Sequence, residues 1–275
     1  METCSIQAYA KLNLTLAVLY KRTDGYHALD SLMQSVSLTD IVTLEKAADV
    51  TVTATGALLP YENTLRKAAQ RYMAYTGCGA RIHVVKRIPS EAGMGGGSAD
   101  GAAVLQGMQR LYDNALDRGT LFDIALSVGA DVPFCLQGGA CRAEGVGEVL
   151  TPIQPGGKLW FVVAKPAEGV STKALFSALR LPRENPDTAG AVAALSRGDL
   201  PELGKLLGNA LEEPAAALVP EIETIRTRLL SAGALGARMT GSGSAVFGLF
   251  ADEESANRAL PAVAEYAFSC VCHSR

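Results

Sequence analysis

The stretch that most constrains this chain is residues 86–100, with the sequence KRIPSEAGMGGGSAD. It starts with the character of a β-strand, breaks at Pro89, passes through a glycine-rich segment and reaches Ser98, which we predict to be the N-cap of a helix. That helix is indicated by apolar residues on one face: Val104, Leu105, Met108, Leu111 and Tyr112. Glycine leaves backbone N–H groups open to a ligand, and a helix N-terminus favours negative charge. The stretch therefore predicts a phosphate-binding loop.

A glycine-rich segment is also typical of a flexible linker or a tight turn. The strand and the capped helix on either side favour the phosphate loop. The two standard nucleotide motifs do not fit. The chain has no Gly-x-x-x-x-Gly-Lys-Ser/Thr motif, and after Gly93 and Gly95 the third glycine position of the dinucleotide motif holds Ser98.

Composition limits the class of protein. The chain has 275 residues and a net charge of −3, so one large or two ordinary domains fit and nucleic acid is not the default partner. It shows neither a secretion signal nor an apolar run of membrane-spanning length. The spacing of Cys270, Cys272 and His273 does not suit a zinc knuckle. We expect a cytoplasmic protein with reduced thiols at its six scattered cysteines: Cys4, Cys78, Cys135, Cys141, Cys270 and Cys272.

Strand and helix patterns alternate along the chain and predict an α+β sandwich, with a linker at 152–157. Residues 6–20 alternate as a strand whose polar face carries Lys11, Asn13 and Thr15, and such a face is ordinarily solvated. Further strands are predicted at 41–44, 50–53, 81–88, 159–163, 245–250 and 267–272. Helices are predicted at 62–75 (with Asn63 as N-cap), 116–127, 171–179, 188–196, 200–211, 219–232 and 253–266. Hairpin turns are predicted at 138–139 and 144–148.

Two further segments carry candidate functional residues. Asp131 follows a predicted helix, and Pro133 should hold Val132 extended, so this carboxylate is fixed where it can accept a proton; the alternative is an ordinary surface Asp in a turn. Tyr26 and His27 follow an Asp-Gly turn, where an exposed aromatic pair can stack on a base. The alternative there is simple packing at a strand end.

Five segments in order resemble one family: AKLNL at 10–14, DGYH at 24–27, GMGGGS at 93–98, GADVP at 129–133 and EGVGE at 144–148. Together with TGSG at 240–243, they resemble the GHMP kinases, small-molecule kinases without a P-loop. DGYH points to the branch that acts on cytidine-diphosphate-linked methylerythritol. The resemblance implies the two-domain α+β fold of that family. An ATP-binding, catalytic domain (1–153), ribosomal protein S5 domain 2-like, would precede a ferredoxin-like, substrate-side domain (154–275).

The resemblance also implies an activity: transfer of the ATP γ-phosphoryl group, with Mg²⁺, to the 2-hydroxyl of that substrate in non-mevalonate isoprenoid synthesis. Asp131 would be the base, and Lys11 would stabilise the carboxylate and the developing alkoxide. Ser98 with waters would bind Mg²⁺. The implied ATP site comprises Asn63, Pro89, Ser90, Glu91, Ala92, Gly93, Met94, Gly95, Gly96, Gly97, Ser98 and Ala99. The implied substrate site comprises Asn13, Tyr26, His27, Phe176, Gly241, Ser242 and Gly243, with Tyr26 and Phe176 on either side of the cytosine and His27 at its edge.

Two positions depart from the family pattern: Ala99 stands where a second serine is common, and Gly101 where alanine is usual. Two other functions stay open: a non-catalytic nucleotide sensor with this fold, and a GHMP kinase for another small alcohol. Lys11 and Asp131 argue against the sensor, and the Tyr26–His27 pair argues against another alcohol. We expect a small-molecule partner, no nucleic acid or membrane partner, and a monomer or homodimer.

Overall fold

The computed structural model describes residues 2–275, which form two compact units interleaved along the chain. Unit 1 contains the described residues up to Ala10, with Leu38–Ile88 and Gly95–Gly138; unit 2 contains Lys11–Ser37, Pro89–Met94 and Gly139–Arg275. Two long strands, β1 (Thr3–Lys21) and β2 (His27–Ala47), contribute to both units. The domain boundary expected between residues 153 and 154 stays a prediction.

Unit 1 packs helices against a sheet. Its further strands are β3 (Thr51–Thr55) and β4 (Gly79–Val85), and its helices are α1 (Thr64–Thr76), α2 (Gly96–Leu111), α3 (Arg118–Val128) and α4 (Val132–Gln137). Strand β4 lies between β3, which is parallel to it, and the end of β2, which is antiparallel. The core includes Leu44, Tyr72, Ile82 and Leu105, all buried. Burial of this apolar surface is the main stabilising contribution.

Besides its parts of β1 and β2, unit 2 contains the strands β5 (Ala140–Gly145), β6 (Val149–Ile153), β7 (Trp160–Lys165), β8 (Gly208–Asn209), β9 (Gly236–Met239), β10 (Val246–Phe250) and β11 (Phe268–His273). Four of these strands form an antiparallel sheet in the order β11-β7-β10-β9. Its helices are α5 (Thr172–Ala178), α6 (Thr188–Arg197), α7 (Leu200–Leu206), α8 (Glu212–Leu218), α9 (Glu221–Ser231) and α10 (Glu253–Ala259), followed by a 3₁₀ turn at Leu260–Val263. Strand β8 pairs in parallel with β1, and β5 pairs with β2 and β6.

Several local predictions are wrong. The predicted helix 200–211 ends at Leu206, because Gly208 and Asn209 instead pair with β1 as strand β8. The helix predicted to reach 266 ends at Ala259, where Pro261 opens a 3₁₀ turn. The strand predicted at 41–44 is confirmed, but it is part of the much longer β2.

Of the two predicted hairpin turns, one is confirmed and one is wrong. The turn at 144–148 does connect two antiparallel strands, β5 and β6, as predicted. Gly138 and Gly139 instead connect α4 to β5, so the hairpin predicted there is wrong. None of the helices described over residues 2–275 has the length and apolar character that crossing a bilayer requires.

Candidate active site

The first part of the glycine loop, residues 89–94, is held by backbone hydrogen bonds within unit 2. The carbonyl oxygens of Glu91 and Ala92 accept hydrogen bonds from the N–H groups of Ser244 (3.1 Å) and Ala245 (3.3 Å). The carbonyl oxygen of Met94 accepts from the N–H of Lys11 at 3.0 Å. The loop is therefore fixed between β1 and the segment that enters β10.

Glycine is required where these segments meet. Gly93 has a φ of +69°, and a β-carbon there would lie 2.1 Å from the carbonyl oxygen of Thr240. A β-carbon at Gly241 would lie 2.6 Å from the oxygen of Gly93 and 3.1 Å from Lys11 Nζ. Real carbon atoms do not come so close to carbonyl oxygens, so only bare backbone fits at both positions. The ammonium of Lys11 thus lies beside the backbone of Gly241, which in turn contacts Gly93.

Lys11 and Asn13 are buried together on β1. Each is only 4% exposed, so the solvated polar face expected from the alternation is wrong. Lys11 Nζ donates to Asn13 Oδ1 at 2.5 Å, and the Asn13 N–H donates to Thr240 Oγ1 at 3.0 Å. A buried polar group is stable only when it is hydrogen-bonded, and these contacts meet that requirement. A fixed, desolvated cation beside open backbone is suited to stabilising a negatively charged oxygen.

The second part of the loop, in unit 1, forms the start of α2. Gly95 is the N-cap, with φ +69°, and the helix begins at Gly96. The prediction that Ser98 caps this helix is wrong: the left-handed turn at Gly95 starts the helix earlier and leaves Ser98 half-buried within the first helical turn. Thr64 Oγ1 donates to the carbonyl oxygen of Gly97 at 2.6 Å, which joins the start of α1 to the start of α2.

Asn63 caps α1, as predicted. Its Oδ1 accepts from the N–H of Arg66 at 3.0 Å, and its Nδ2 donates to the Pro60 carbonyl at 2.8 Å. Both ends of the amide therefore have structural partners. Any contact with a nucleotide would have to share them.

A buried ionic cluster that sequence reasoning missed flanks the loop in unit 1. Lys86 Nζ donates to Asp100 Oδ2 at 2.6 Å and forms a short ion pair with Asp40. Asp40 Oδ1 also accepts from the N–H groups of Arg87 (2.5 Å) and Ile88 (2.8 Å). The available signal in the sequence was a pair of charged residues near the loop: Lys86, three positions before Pro89, and Asp100, two positions after Ser98.

The cluster alters the protonation of its members. Asp100 is 1% exposed and its Oδ1 has no hydrogen-bond partner among the described residues. Burial, opposed by Lys86 and reinforced by Asp40, raises the pKa of Asp100 to about 7. Burial acts to lower the pKa of Lys86, but the two carboxylates outweigh it and the pKa is raised. Lys86 therefore remains a cation.

Asp131 lies between two helices of unit 1, half-buried. It follows the C-terminus of α3, as predicted, but Val132 is helical rather than extended, and Pro133 stands in the first turn of α4. Proline fits the first turn of a helix because the N–H it lacks has no partner there. Asp131 is accordingly the N-cap of α4, where the helix dipole favours a negative charge, and its backbone oxygen accepts from Cys135 N at 3.1 Å.

The aromatic residues predicted for base recognition lie in unit 2. The rings of His27 and Phe176 lie 5.1 Å apart at 32°, while Tyr26 is 64% exposed. The Tyr26 N–H donates to Asp24 Oδ1 at 3.1 Å, which fixes the preceding turn. Partial burial, with a smaller contribution from the charge of Lys21, lowers the pKa of His27, so its imidazole is neutral at pH 7 and can both donate and accept.

The turn at Gly241–Gly243 is held from two sides. Asn209 Nδ2, on the short strand β8, donates to the carbonyl oxygens of Met239 and Gly241, both at 2.8 Å. The hydroxyls of Ser242 and Thr172 lie 2.6 Å apart, which connects the turn to the start of α5. Within this turn Gly241 lies beside Lys11 Nζ, and the preceding Thr240 accepts from the Asn13 N–H.

Mg²⁺ prefers oxygen ligands and usually keeps several waters and phosphate oxygens. Among the residues that the structure describes, no cluster of three His, Cys, Asp or Glu side chains forms a metal cage. The half-buried hydroxyl of Ser98 fits the role of one protein ligand for an ion held mainly by phosphate oxygens.

Comparisons with known proteins agree with this architecture. The model of the GHMP kinase N-terminal domain matches residues 63–139, and that of the C-terminal domain matches residues 191–268. A 4-diphosphocytidyl-2-C-methyl-D-erythritol kinase of Carboxydothermus hydrogenoformans is 45% identical over 89% of this chain and 87% of its own length. The enzyme of the same name from Moorella thermoacetica is 42% identical over 94% of each chain.

Solved structures show the same relationship. A crystal structure of 4-(cytidine 5'-diphospho)-2C-methyl-D-erythritol kinase is 37% identical, with a TM-score of 0.84, covering 99% of this chain and 100% of its own. The homoserine kinase of Cytophaga hutchinsonii, 22% identical with a TM-score of 0.79, covers 100% of this chain and 95% of its own and shares the fold.

The two sheets with flanking helices are the α+β fold of the GHMP kinases, as predicted. The chain belongs to this superfamily and, within it, to the family of 4-diphosphocytidyl-2-C-methyl-D-erythritol kinases. It is a small-molecule kinase.

Proposed function

We propose that the chain transfers the γ-phosphoryl group of ATP to the 2-hydroxyl of 4-diphosphocytidyl-2-C-methyl-D-erythritol, giving the 2-phosphate and ADP in non-mevalonate isoprenoid synthesis. The relatives' shared name supports the substrate. The observation that carries the chemistry is the buried ammonium of Lys11 beside the bare backbone of Gly241, which itself contacts Gly93. Phosphoryl transfer depends mainly on positioning and charge stabilisation, which this arrangement supplies.

Asp131 is the proposed base. Its carboxylate takes the proton of the 2-hydroxyl as that oxygen bonds to the γ-phosphorus and the bond to ADP breaks. It is held in the turn between α3 and α4, as the N-cap residue of α4. Lys11 stabilises the negative charge that develops on the attacking oxygen.

The loop from Pro89 to Ala99 is proposed to bind the triphosphate through backbone N–H groups. Gly93 and Gly95, both with positive φ, turn the chain, and α2 offers the start of a 16-residue helix beyond them. Asn63 and Thr64 support the nucleotide side, since Thr64 is tied to Gly97. Mg²⁺, with Ser98 as a protein ligand, would neutralise phosphate charge when bound.

Recognition of the cytidine is assigned to Tyr26, His27 and Phe176. Tyr26 presents an exposed ring that can stack on the base. A cytosine edge carries both donors and acceptors, which suits the neutral imidazole of His27. Asn13 and the Gly241–Gly243 turn are proposed to line the side of the methylerythritol.

A non-catalytic nucleotide sensor is the second candidate function. Burial of Lys11 with a fixed amide partner costs desolvation, which a protein that only binds nucleotide does not need. That observation favours the kinase.

The test is ATP consumption by the purified protein with the cytidyl substrate, mevalonate, homoserine or galactose. Turnover confined to the cytidyl substrate is expected. The variant Asp131→Asn should lose at least about 100-fold in kcat and retain ATP affinity, as loss of a general base requires. Normal turnover by that variant would remove Asp131 as the base, and turnover with another alcohol would overturn the substrate assignment.

A further inference from the structure

Ser31, on β2, continues the chain of hydrogen bonds that begins at Lys11. Its hydroxyl is 2% exposed, accepts from Asn13 Nδ2 at 2.8 Å and donates to the carbonyl oxygen of Thr15 at 2.6 Å. We propose that Ser31 is a positioning residue for phosphoryl transfer, which orients the Asn13 amide so that its oxygen faces the Lys11 ammonium. The proposal rests on the catalytic role of Lys11 proposed above.

The direction of each bond follows from its atoms. A serine hydroxyl has one hydrogen, and a carbonyl oxygen can only accept, so the Ser31 hydrogen is committed to Thr15. Towards Asn13, Ser31 can then only accept, and it requires the NH₂ end of that amide. The Asn13 oxygen is left facing Lys11, whose ammonium can only donate. Ser31 therefore fixes the direction of the hydrogen bonds from Lys11 through Asn13 to Thr15.

Thr15, at the far end of this series of hydrogen bonds, is also held in place. Thr15 Oγ1 accepts from the N–H of Leu32 at 2.9 Å and lies 3.0 Å from Thr188 Oγ1, whose own hydrogen bond goes to the carbonyl oxygen of Asp30 at 3.4 Å. Thr15 is fully buried and Thr188 is 2% exposed. The carbonyl that receives the Ser31 hydrogen is thus held in place by both neighbouring backbone and side chain. Because these residues are buried, bulk water cannot replace a hydrogen bond that a substitution removes.

Removal of the Ser31 hydroxyl leaves the Asn13 NH₂ group without its partner. The amide can then turn over and present NH₂ to the ammonium, where two donors face each other. Asn13 also donates its backbone N–H to Thr240, a separate bond that Ser31 does not touch. The glycine loop should therefore stay in place, while the ammonium loses its fixed position.

The test compares four variants by steady-state kinetics and thermal unfolding. Ser31→Ala should lower kcat about tenfold or more, the order expected for an unsatisfied buried donor, with the KM for ATP unchanged. Ser31→Thr keeps a hydroxyl and should recover most of kcat. Ser35→Ala is the matched control, since Ser35 is also on β2, is 4% exposed and lies outside this chain of bonds. Lys11→Ala reports on the proposed function itself.

A loss of kcat in Ser31→Ala that Ser31→Thr restores and Ser35→Ala lacks supports the proposal. Wild-type kcat in Ser31→Ala, equal losses in both alanine variants, or failure of Ser31→Thr to recover overturns it. If Ser31→Ala does not fold, Ser31→Cys decides: it keeps the volume with a weak acceptor, so several-fold loss supports the proposal and wild-type kcat overturns it. Normal turnover by Lys11→Ala would instead refute the role of Lys11, whatever the Ser31 variants do.

Discussion

The backbones of Gly93 and Thr240 are in direct contact, 147 positions apart in the chain. A β-carbon on Gly93 would lie 2.1 Å from the carbonyl oxygen of Thr240, and Thr240 Oγ1 lies 3.5 Å from the Gly93 oxygen. The glycine loop and the Thr240–Gly243 turn therefore meet without side chains between them. This contact holds the loop next to Lys11.

Gly93→Ala should displace the loop, because the new methyl group overlaps buried backbone that cannot move aside. We expect kcat/KM for ATP to fall at least about tenfold, as expected from misplaced reacting groups. Gly77→Ala is the control for backbone strain alone: its φ of +73° is similar, but nothing lies within 4 Å of its β-carbon. Gly77→Ala should lower the stability by about 1 kcal/mol and leave the activity unchanged. Equal activity in both variants would contradict the close contact.

Gly101→Ala should stabilise the protein. A β-carbon at Gly101 would be in ordinary contact, 3.5 Å from Thr64 O and from a methyl of Val128, so alanine fits within α2. Alanine in a helix is favoured over glycine by about 1 kcal/mol. Gly107→Ala, in the same helix, should instead destabilise, because its β-carbon would lie 2.3 Å from buried Leu44. Chemical denaturation of both variants measures the difference, and a gain in stability at Gly107 would show that the packing is misjudged.

Tyr26→Ala tests recognition of the base. Loss of stacking should raise the KM for the cytidyl substrate about tenfold and leave the KM for ATP unchanged. Tyr75→Ala removes a ring that is equally exposed, at 64%, from α1 and should change neither constant. Equal weakening of both substrates by Tyr26→Ala would argue for a structural role instead.

Asp100 should make stability depend on pH. Because burial raises its folded pKa to about 7, above the unfolded value near 3.8, the folded protein binds the extra proton between these values. Its contribution to the free energy of unfolding is therefore greatest at low pH and is lost as pH rises towards about 7. Asp100→Asn should flatten this decline in denaturation experiments between about pH 5 and 7.

The control is Asp117, an exposed carboxylate whose pKa is lowered rather than raised. Hydrogen bonds from Thr120 lower the pKa of Asp117, the N-cap of α3, so its stabilisation is lost only as pH falls through acidic values. Asp117→Asn, which keeps a capping side chain, should leave the slope between about pH 5 and 7 unchanged. An unchanged slope in Asp100→Asn would show that this carboxyl is ionised throughout.

Local rules predicted some elements well. The helix over α1 and its Asn63 cap follow from helical spacing and capping chemistry. The start of α2 was wrong because propensity cannot choose between Ser98 and three preceding glycines, whereas the fold uses the positive φ of Gly95. The prediction that residues 208–209 are helical was wrong, because their pairing with β1 is a long-range contact.

The site was predictable only as far as motifs carried chemistry. Lys11 and Asn13 stand out by resemblance, but strand alternation suggested a solvated face, because alternation cannot report what covers a strand. Ser31, Asp40 and Asp100 carry no motif, and their roles arise from partners many positions distant in the chain. Tertiary contacts identify Ser31 and Asp40, whereas the position of Asp100 beside the glycine loop was a signal in the sequence.

The most direct test of the proposed reaction is phosphorus NMR of a mixture of the protein, ATP, Mg²⁺ and 4-diphosphocytidyl-2-C-methyl-D-erythritol. We expect ADP and one new phosphomonoester signal to rise in equal amounts while the diphosphate of the substrate stays intact. Release of inorganic phosphate without a new phosphomonoester, or ATP binding without consumption, would contradict the assignment of this chain as the kinase for that 2-hydroxyl.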